Sequence, residues 1–145
     1  MINIAKNWIG TPFVVGGYTK YGCDCIGLIV GILNECCINI KPYEYLEFGN
    51  YNHLDLDKVL DIVQKYCIKI NNDSIKIGDI IMFSGNKNTA HFAIVSNLFP
   101  LSIIHAHQNV GKVVETISDS IWQTQIFACF RLSNSLINLS PSKLS

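Results

Sequence analysis

The 145-residue sequence contains a single arginine, Arg131, and its eleven basic and eleven acidic side chains cancel. A nucleic-acid surface needs clustered Lys and Arg to neutralise phosphates, and the sequence has no such cluster. No nucleic-acid partner is therefore expected. Long apolar runs are also missing. The longest, Cys25 to Leu33, has nine residues, whereas a membrane helix needs about 20. No membrane span is expected. The N-terminal stretch puts Lys6 and Asn7 where a signal peptide would need its apolar run. The expectation is a chain without a signal peptide, made and folded in a cytoplasm. An evenly spaced cysteine framework is absent too. The six cysteines stand at 23, 25, 36, 37, 67 and 129, and a secreted disulfide scaffold would space them regularly. Most are expected to be reduced, with Cys36, Cys37, Cys67 and Cys129 serving as small buried apolar residues.

What is present is enough apolar material for one packed domain. Apolar residues make up 49% of the chain, which excludes global disorder. The first half reads as helical and the second as strands, an order that predicts an α+β domain rather than alternating α/β. A short helix is predicted over 2–9, ending before Gly10 and Pro12. Residues 11–22 hold Gly16, Gly17 and Gly22 and read as a structured loop. Asp24 is a good N-cap, and the apolar stretch after it predicts a central buried helix over 25–37. Residues 38–53 read as loop. Leu56, Val59, Leu60 and Val63 have helical spacing and predict an amphipathic surface helix over 55–66. Strands are predicted over 80–83, 91–96, 102–107, 112–116 and 125–132. The tail from 133 onward is expected to fray.

The chemistry concentrates in three places. Cys25 falls on the first turn of the central helix, where unpaired N–H groups and the helix dipole favour a thiolate. The same N–H groups can hydrogen-bond a developing oxyanion. His91 follows the polar loop 85–89, which puts its ring at a sheet edge. His105 stands on the next strand. A hairpin turn centred near Leu98 would set His91 and His105 opposite each other on one face. A bond between the rings would fix the tautomer of His91, whose other nitrogen could take the Cys25 proton. His107 shares a face with His105 and is a rival for the orienting role. His53, in a loop, reads as structural. Cys23, Cys25 and the histidines could also suggest zinc. However, Cys-x-Cys lacks the usual spacer, and an N-cap at Asp24 would turn the two thiols apart. No metal or cofactor is expected.

The runs Trp8-Ile9-Gly10-Thr11-Pro12-Phe13, Gly16-Gly17 and Gly22-Cys23-Asp24-Cys25-Ile26-Gly27-Leu28 resemble the NlpC family of cell-wall cysteine peptidases. So do Ile77-Gly78-Asp79-Ile80-Ile81-Met82-Phe83, His91-Phe92-Ala93-Ile94-Val95 and Ile104-His105-Ala106. The resemblance covers residues 2–132. Gly22-Cys23-Asp24-Cys25, and Val113-Val114-Glu115 followed by Trp122, look most like the phage and gene-transfer-agent tail branch. The resemblance implies a papain-like α+β fold with the nucleophile helix packed on a small antiparallel sheet. On that basis residues 1–132 form the peptidase domain and 133–145 a flexible tail. It implies cleavage of peptidoglycan stem peptides next to D-glutamate and a diamino acid. It makes Cys25 the nucleophile, His91 the base and His105 the third polar residue; Asp24, Phe13, Tyr18, Tyr21 and His107 are the candidate substrate contacts. Its tail branch adds phage-like tail proteins as partners and incorporation into a phage-like particle.

The chain departs from the family pattern at two positions. Many relatives carry Tyr where Phe13 stands and Ser where Ile26 stands. Tyr18 and Tyr21 are the candidates to supply a hydroxyl in place of that tyrosine's; neither departure touches the triad. Two other functions stay open at this point: a non-catalytic structural tail component, and a thiol acyltransferase or amidase acting elsewhere.

Overall fold

A computed structural model describes residues 1–36, 38–47, 50–84 and 90–133, the side chains of 50–53 and 121 excepted. In chain order the elements are α1 (Ile2–Lys6), β1 (Tyr18–Thr19), β2 (Gly22–Cys23), α2 (Cys25–Glu35), β3 (Leu46–Glu47), β4 (Asn50–Leu54), α3 (Leu56–Tyr66), β5 (Cys67–Ile70), β6 (Ile80–Ser84), β7 (Ala90–Leu98), β8 (Leu101–His107), β9 (Lys112–Ile117), α4 (Ser120–Thr124) and β10 (Ile126–Leu132). Six of the strands form one antiparallel sheet in the order β5-β10-β6-β7-β8-β9. This is the α+β class that the sequence predicts. Among the described residues no helix is long and apolar enough to cross a membrane.

The central helix forms for the reason the sequence suggests. The Asp24 side chain accepts a hydrogen bond from the Gly27 amide and caps α2. Leu28, Ile29, Val30, Ile32 and Leu33 are all buried. Fully burying each such side chain is worth about 1.5–3 kcal/mol. That outweighs the roughly 1 kcal/mol that each helical glycine, Gly27 and Gly31, costs. Both glycines are required by close packing. A Cβ on Gly27 would overlap the Gly17 carbonyl oxygen, and one on Gly31 would overlap the Trp8 ring. The N-terminus of α2 is thus pressed against the loop before β1.

One face of the sheet carries Ile80, Phe92, Ile94, Ile104 and Phe130 into the α2 core. The other face carries Ile81, Phe83, Val95 and Ile103 into a smaller cluster with Trp122 packed against it. The lone arginine is spent on structure. Arg131 on β10 donates from Nε and Nη2 to the two carboxylate oxygens of Asp79, at 2.9 and 2.8 Å, and also to the Ser74 carbonyl. Asp79 is 2% exposed and takes a further bond from the Lys76 amide. A buried carboxylate persists only with such partners, and the paired fork of arginine suits it.

Several boundaries differ from expectation. The first helix stops at Lys6 rather than 9. The loop 11–22 contains the hairpin β1–β2. The loop 38–53 contains a 3-10 turn, Pro42–Glu44, and the hairpin β3–β4. Such strands of two to five residues are too short to show a period. Strand β5 and helix α4 were also not predicted. Helix α2 ends at Glu35, short of 37. Helix α3 matches its prediction, with Asp55 as its cap. Cys37, the loop 85–89, the His53 side chain and residues 134–145 lie outside the described part.

Gly27→Ala tests the packing of the nucleophile helix. Helix propensity alone would raise stability by about 1 kcal/mol. The overlap with Gly17 should instead lower it by about 3 kcal/mol, read by denaturant unfolding. Unchanged or higher stability would contradict the contact.

Candidate active site

Strand β7 pairs with β6 as far as Ser84↔Ala90, and β8 pairs with β9 as far as His107↔Lys112. Between β7 and β8 the ladder ends at Ile94↔Ile104. The two strands therefore part toward Ala90 and His107. A cleft of about 400 Å³ lies at this fork, lined by Phe13, Cys25, Ala90, His91, His105, Ala106, His107, Gln108, Asn109 and Trp122. The segment before β1 brings Phe13 there. Gly10 and Phe13 donate to the carbonyls of Val113 and Gly111, and Cys23 donates to the Pro12 carbonyl. These bonds strap the segment between β9 and β2.

His91 Nε2 and His105 Nδ1 are 2.9 Å apart. The contact is the expected one, but the register behind it is not. The turn sits at Phe99-Pro100, with Leu98↔Leu101 and Asn97↔Ser102 paired, and the register shifts between Val95 and Asn97. Continued past the fork, the register of Ile94↔Ile104 would set His91 opposite His107. His105 is then the diagonal neighbour on the same face, still within reach of a ring. His91 also lies at the open end of an interior strand, not on a sheet edge. The second nitrogen of His105, Nε2, lies 3.1 Å from Thr116 Oγ1. His107 lines the cleft with its ring 5.2 Å from that of His105, and its Nδ1 accepts from the Val110 amide at 3.4 Å.

The Cys25 thiol donates to the Ala90 carbonyl at 3.7 Å. Burial pushes this thiol up to about 11, and the Asp24 carboxylate adds to the effect. The amides of Phe92, Ile26 and Cys25 act in the opposite sense without overcoming it. The expected thiolate is therefore corrected. At rest the thiol is neutral, because desolvation outweighs the helix terminus. Burial holds His91 down to about 4, with His107 contributing. Burial, then His91 and His107, hold His105 down to about 3. The resting site is a neutral thiol beside two neutral imidazoles.

The remaining predicted contacts are distributed unevenly. Phe13 and His107 line the cleft. Both carboxylate oxygens of Asp24 are engaged, Oδ1 by Gly27 N and Oδ2 by Gly16 N. The Tyr18 ring packs edge-on against Tyr45, and Tyr21 is 94% exposed. Neither tyrosine lines the cleft, so neither replaces the hydroxyl missing at Phe13. Cys23 faces the core while Cys25 faces the cleft, so the two thiols diverge as an Asp24 cap requires. Among the described residues, no three His, Cys, Asp or Glu side chains group as metal ligands.

Sequence reasoning gave no site role to Trp122, Thr116, Gln108 or Asn109. Trp122 has its ring 5.5 Å from those of both His91 and His105 and 5.2 Å from Phe83, each edge-to-face. Asp119 caps the short α4 and holds Trp122 there through its backbone amide. An aromatic residue on a five-residue helix has no periodic signal to mark it. The Asp119 cap three residues before it is the one local clue.

The neutral histidine pair makes stability depend on pH. Both rings charge near 6.5 when unfolded but only near 4 and 3 when folded. The unfolded chain then binds more protons below about pH 6.5, so stability falls as pH drops through that window toward 4. Melting temperature should decline from pH 7 to pH 5. His105→Asn, which cannot titrate, should show a shallower decline. Equal slopes would contradict the buried neutral pair.

The family model described as NlpC/P60 family matches residues 10–131, which include Cys25, His91 and His105. Probable endopeptidase NlpC of Escherichia coli K12 is 25% identical over 133 residues, covering 88% of this chain and 73% of that protein. Murein DD-endopeptidase MepS/Murein LD-carboxypeptidase of the same organism is 23% identical over 119 residues, covering 81% of this chain and 53% of that protein. A solved NLP/P60-family lipoprotein-like structure from Staphylococcus aureus superposes with a TM-score of 0.63 at 20% identity, covering 90% of this chain and 39% of that one. That structure supports the fold, and the family model spans the cleft and most of the sheet around it. The chain belongs to the NlpC/P60 family.

Proposed function

We propose that the chain is a cysteine hydrolase of peptidoglycan stem peptides, with Cys25 as nucleophile, His91 as base and His105 as orienter. The observation that carries this reading is the meeting of Cys25 with the hydrogen-bonded His91–His105 pair in one cleft. The printed names of relatives, endopeptidase and murein endopeptidase, support the substrate class.

The chemistry follows from the geometry. His91 Nε2 is committed to His105, which leaves Nδ1 to take a proton. As the Cys25 sulfur attacks the peptide carbonyl carbon, the thiol proton moves to His91 Nδ1. Neither group ionises beforehand, so proton transfer accompanies attack. The imidazolium is steadied by donating to His105 Nδ1. The oxyanion meets the backbone N–H groups at the start of α2. Collapse breaks the C–N bond, and His91 returns its proton to the departing amine. Water, deprotonated by His91, then cleaves the thioester and frees the carboxylic acid and the thiol.

The scissile bond next to D-glutamate and a diamino acid, and deployment with phage-like tail proteins, are part of the proposal. Both rest on resemblance: the first to the NlpC family motifs as a whole, the second to the tail branch, carried by the Gly22–Cys25 run and by Val113-Val114-Glu115 with Trp122.

Digestion of purified peptidoglycan, with fragments identified by mass, tests the reading. New amine and carboxyl ends are expected from the wild type. Cys25→Ala and His91→Ala should each lose on the order of 10³-fold or more in rate. His105→Ala should lose about 100-fold and His105→Asn less, since an amide oxygen can still accept the base's N–H. Cys23→Ala should keep most activity. A full rate in Cys25→Ala, or a transferred acyl group in place of free carboxyl ends, would overturn it.

A further inference from the structure

The chain of hydrogen bonds continues beyond the two histidines. His105 is 1% exposed, and its Nε2 lies 3.1 Å from the hydroxyl of Thr116 on the edge strand β9. Thr116 itself is exposed. A neutral imidazole has one N–H and one bare nitrogen, so the two rings can be ordered in only two ways. In one, His91 carries its proton on Nε2 and donates to a bare His105 Nδ1. His105 then carries its own proton on Nε2, aimed at Thr116. In the other, His105 Nδ1 donates to His91 Nε2, and His91 holds its proton on Nδ1. Only the first order leaves His91 Nδ1 free to accept from the thiol.

We propose that Thr116 is a positioning residue: its hydroxyl accepts the Nε2–H of His105 and so holds both rings in the tautomers that leave His91 Nδ1 free as the base. Exposure serves this role, because the hydroxyl can donate its O–H to water while its oxygen accepts from the buried ring. Without the hydroxyl, a buried N–H at Nε2 would lose its acceptor, and the opposite order would gain. The titratable groups that face His105 are His91 from β7 and His107 from its own strand. Trp122 covers the pair from α4 and does not titrate. The inference rests on the reading of Cys25 and His91 as nucleophile and base.

Thr116→Val keeps the shape, and valine suits an exposed strand position; Thr116→Ser keeps the hydroxyl. Ring-nitrogen NMR of the resting protein reports each tautomer directly. The wild type and Thr116→Ser should show His105 protonated on Nε2. Thr116→Val should show a shift toward Nδ1, with kcat on soluble muropeptides falling about 10-fold and KM unchanged. A wild-type His105 protonated on Nδ1 would overturn the inference. So would a Thr116→Val variant with unchanged ring shifts and kcat. A wild type that does not cleave muropeptides would count against the proposed function, while the ring shifts would still decide the role of Thr116.

Discussion

The hydrogen bond between His91 Nε2 and His105 Nδ1 is the constraint around which the rest of the site is arranged. Two imidazoles can share one proton only if their strands bring the rings close, and a substrate needs an opening beside them. The sheet meets both demands by parting β7 from β8 after Ile94↔Ile104 while each keeps its outer neighbour. The fork supplies the opening, and diagonal placement supplies the reach. Helix α2 brings the thiol to the same opening because its N-terminus is pressed against the Gly17 carbonyl, which Gly27 alone permits.

Burial decides the electrostatics of this arrangement. A cysteine at a helix start gains from the dipole, but desolvation of Cys25 is the larger effect. The histidines feel the same desolvation with opposite sign, and both stay neutral. Burial alone thus favours the neutral form of each group. In the proposed reaction, charge would develop only when an incoming carbonyl can accept it, and the His105 acceptor and the amides at the start of α2 are in place beforehand.

Much of this was legible in the sequence because it depends on local rules. The Asp24 cap, the buried helix after it and the strands from 80 to 132 follow from capping and period. The pairing of His91 with His105, and not with His107, was also legible, although through the wrong register. The turn at Phe99-Pro100 moved His91 out of register with His105, and the register shift near Ser96, which has no sequence signature, set the two back on one face as diagonal neighbours. The upward shift of the Cys25 thiol is not legible in the sequence, because burial depth is a tertiary quantity, invisible beside the obvious helix terminus. Tyr18 and Tyr21 looked equivalent in the loop. The short hairpin β1–β2 turned one ring against Tyr45 and left the other in solvent. Trp122 and Thr116 reach the histidines from α4 and from across the β8–β9 ladder, and the only local mark on either is the Asp119 cap before Trp122.

The central claim is that Cys25 forms the covalent intermediate. Acid-quenched intact-mass measurement during turnover of a soluble stem peptide, followed by peptide mapping, tests it most directly. The account predicts a mass gain equal to the acyl fragment, carried as a thioester on Cys25 and absent from Cys25→Ala. Cleavage at full rate with no adduct, or an adduct on Cys23 instead, would contradict it.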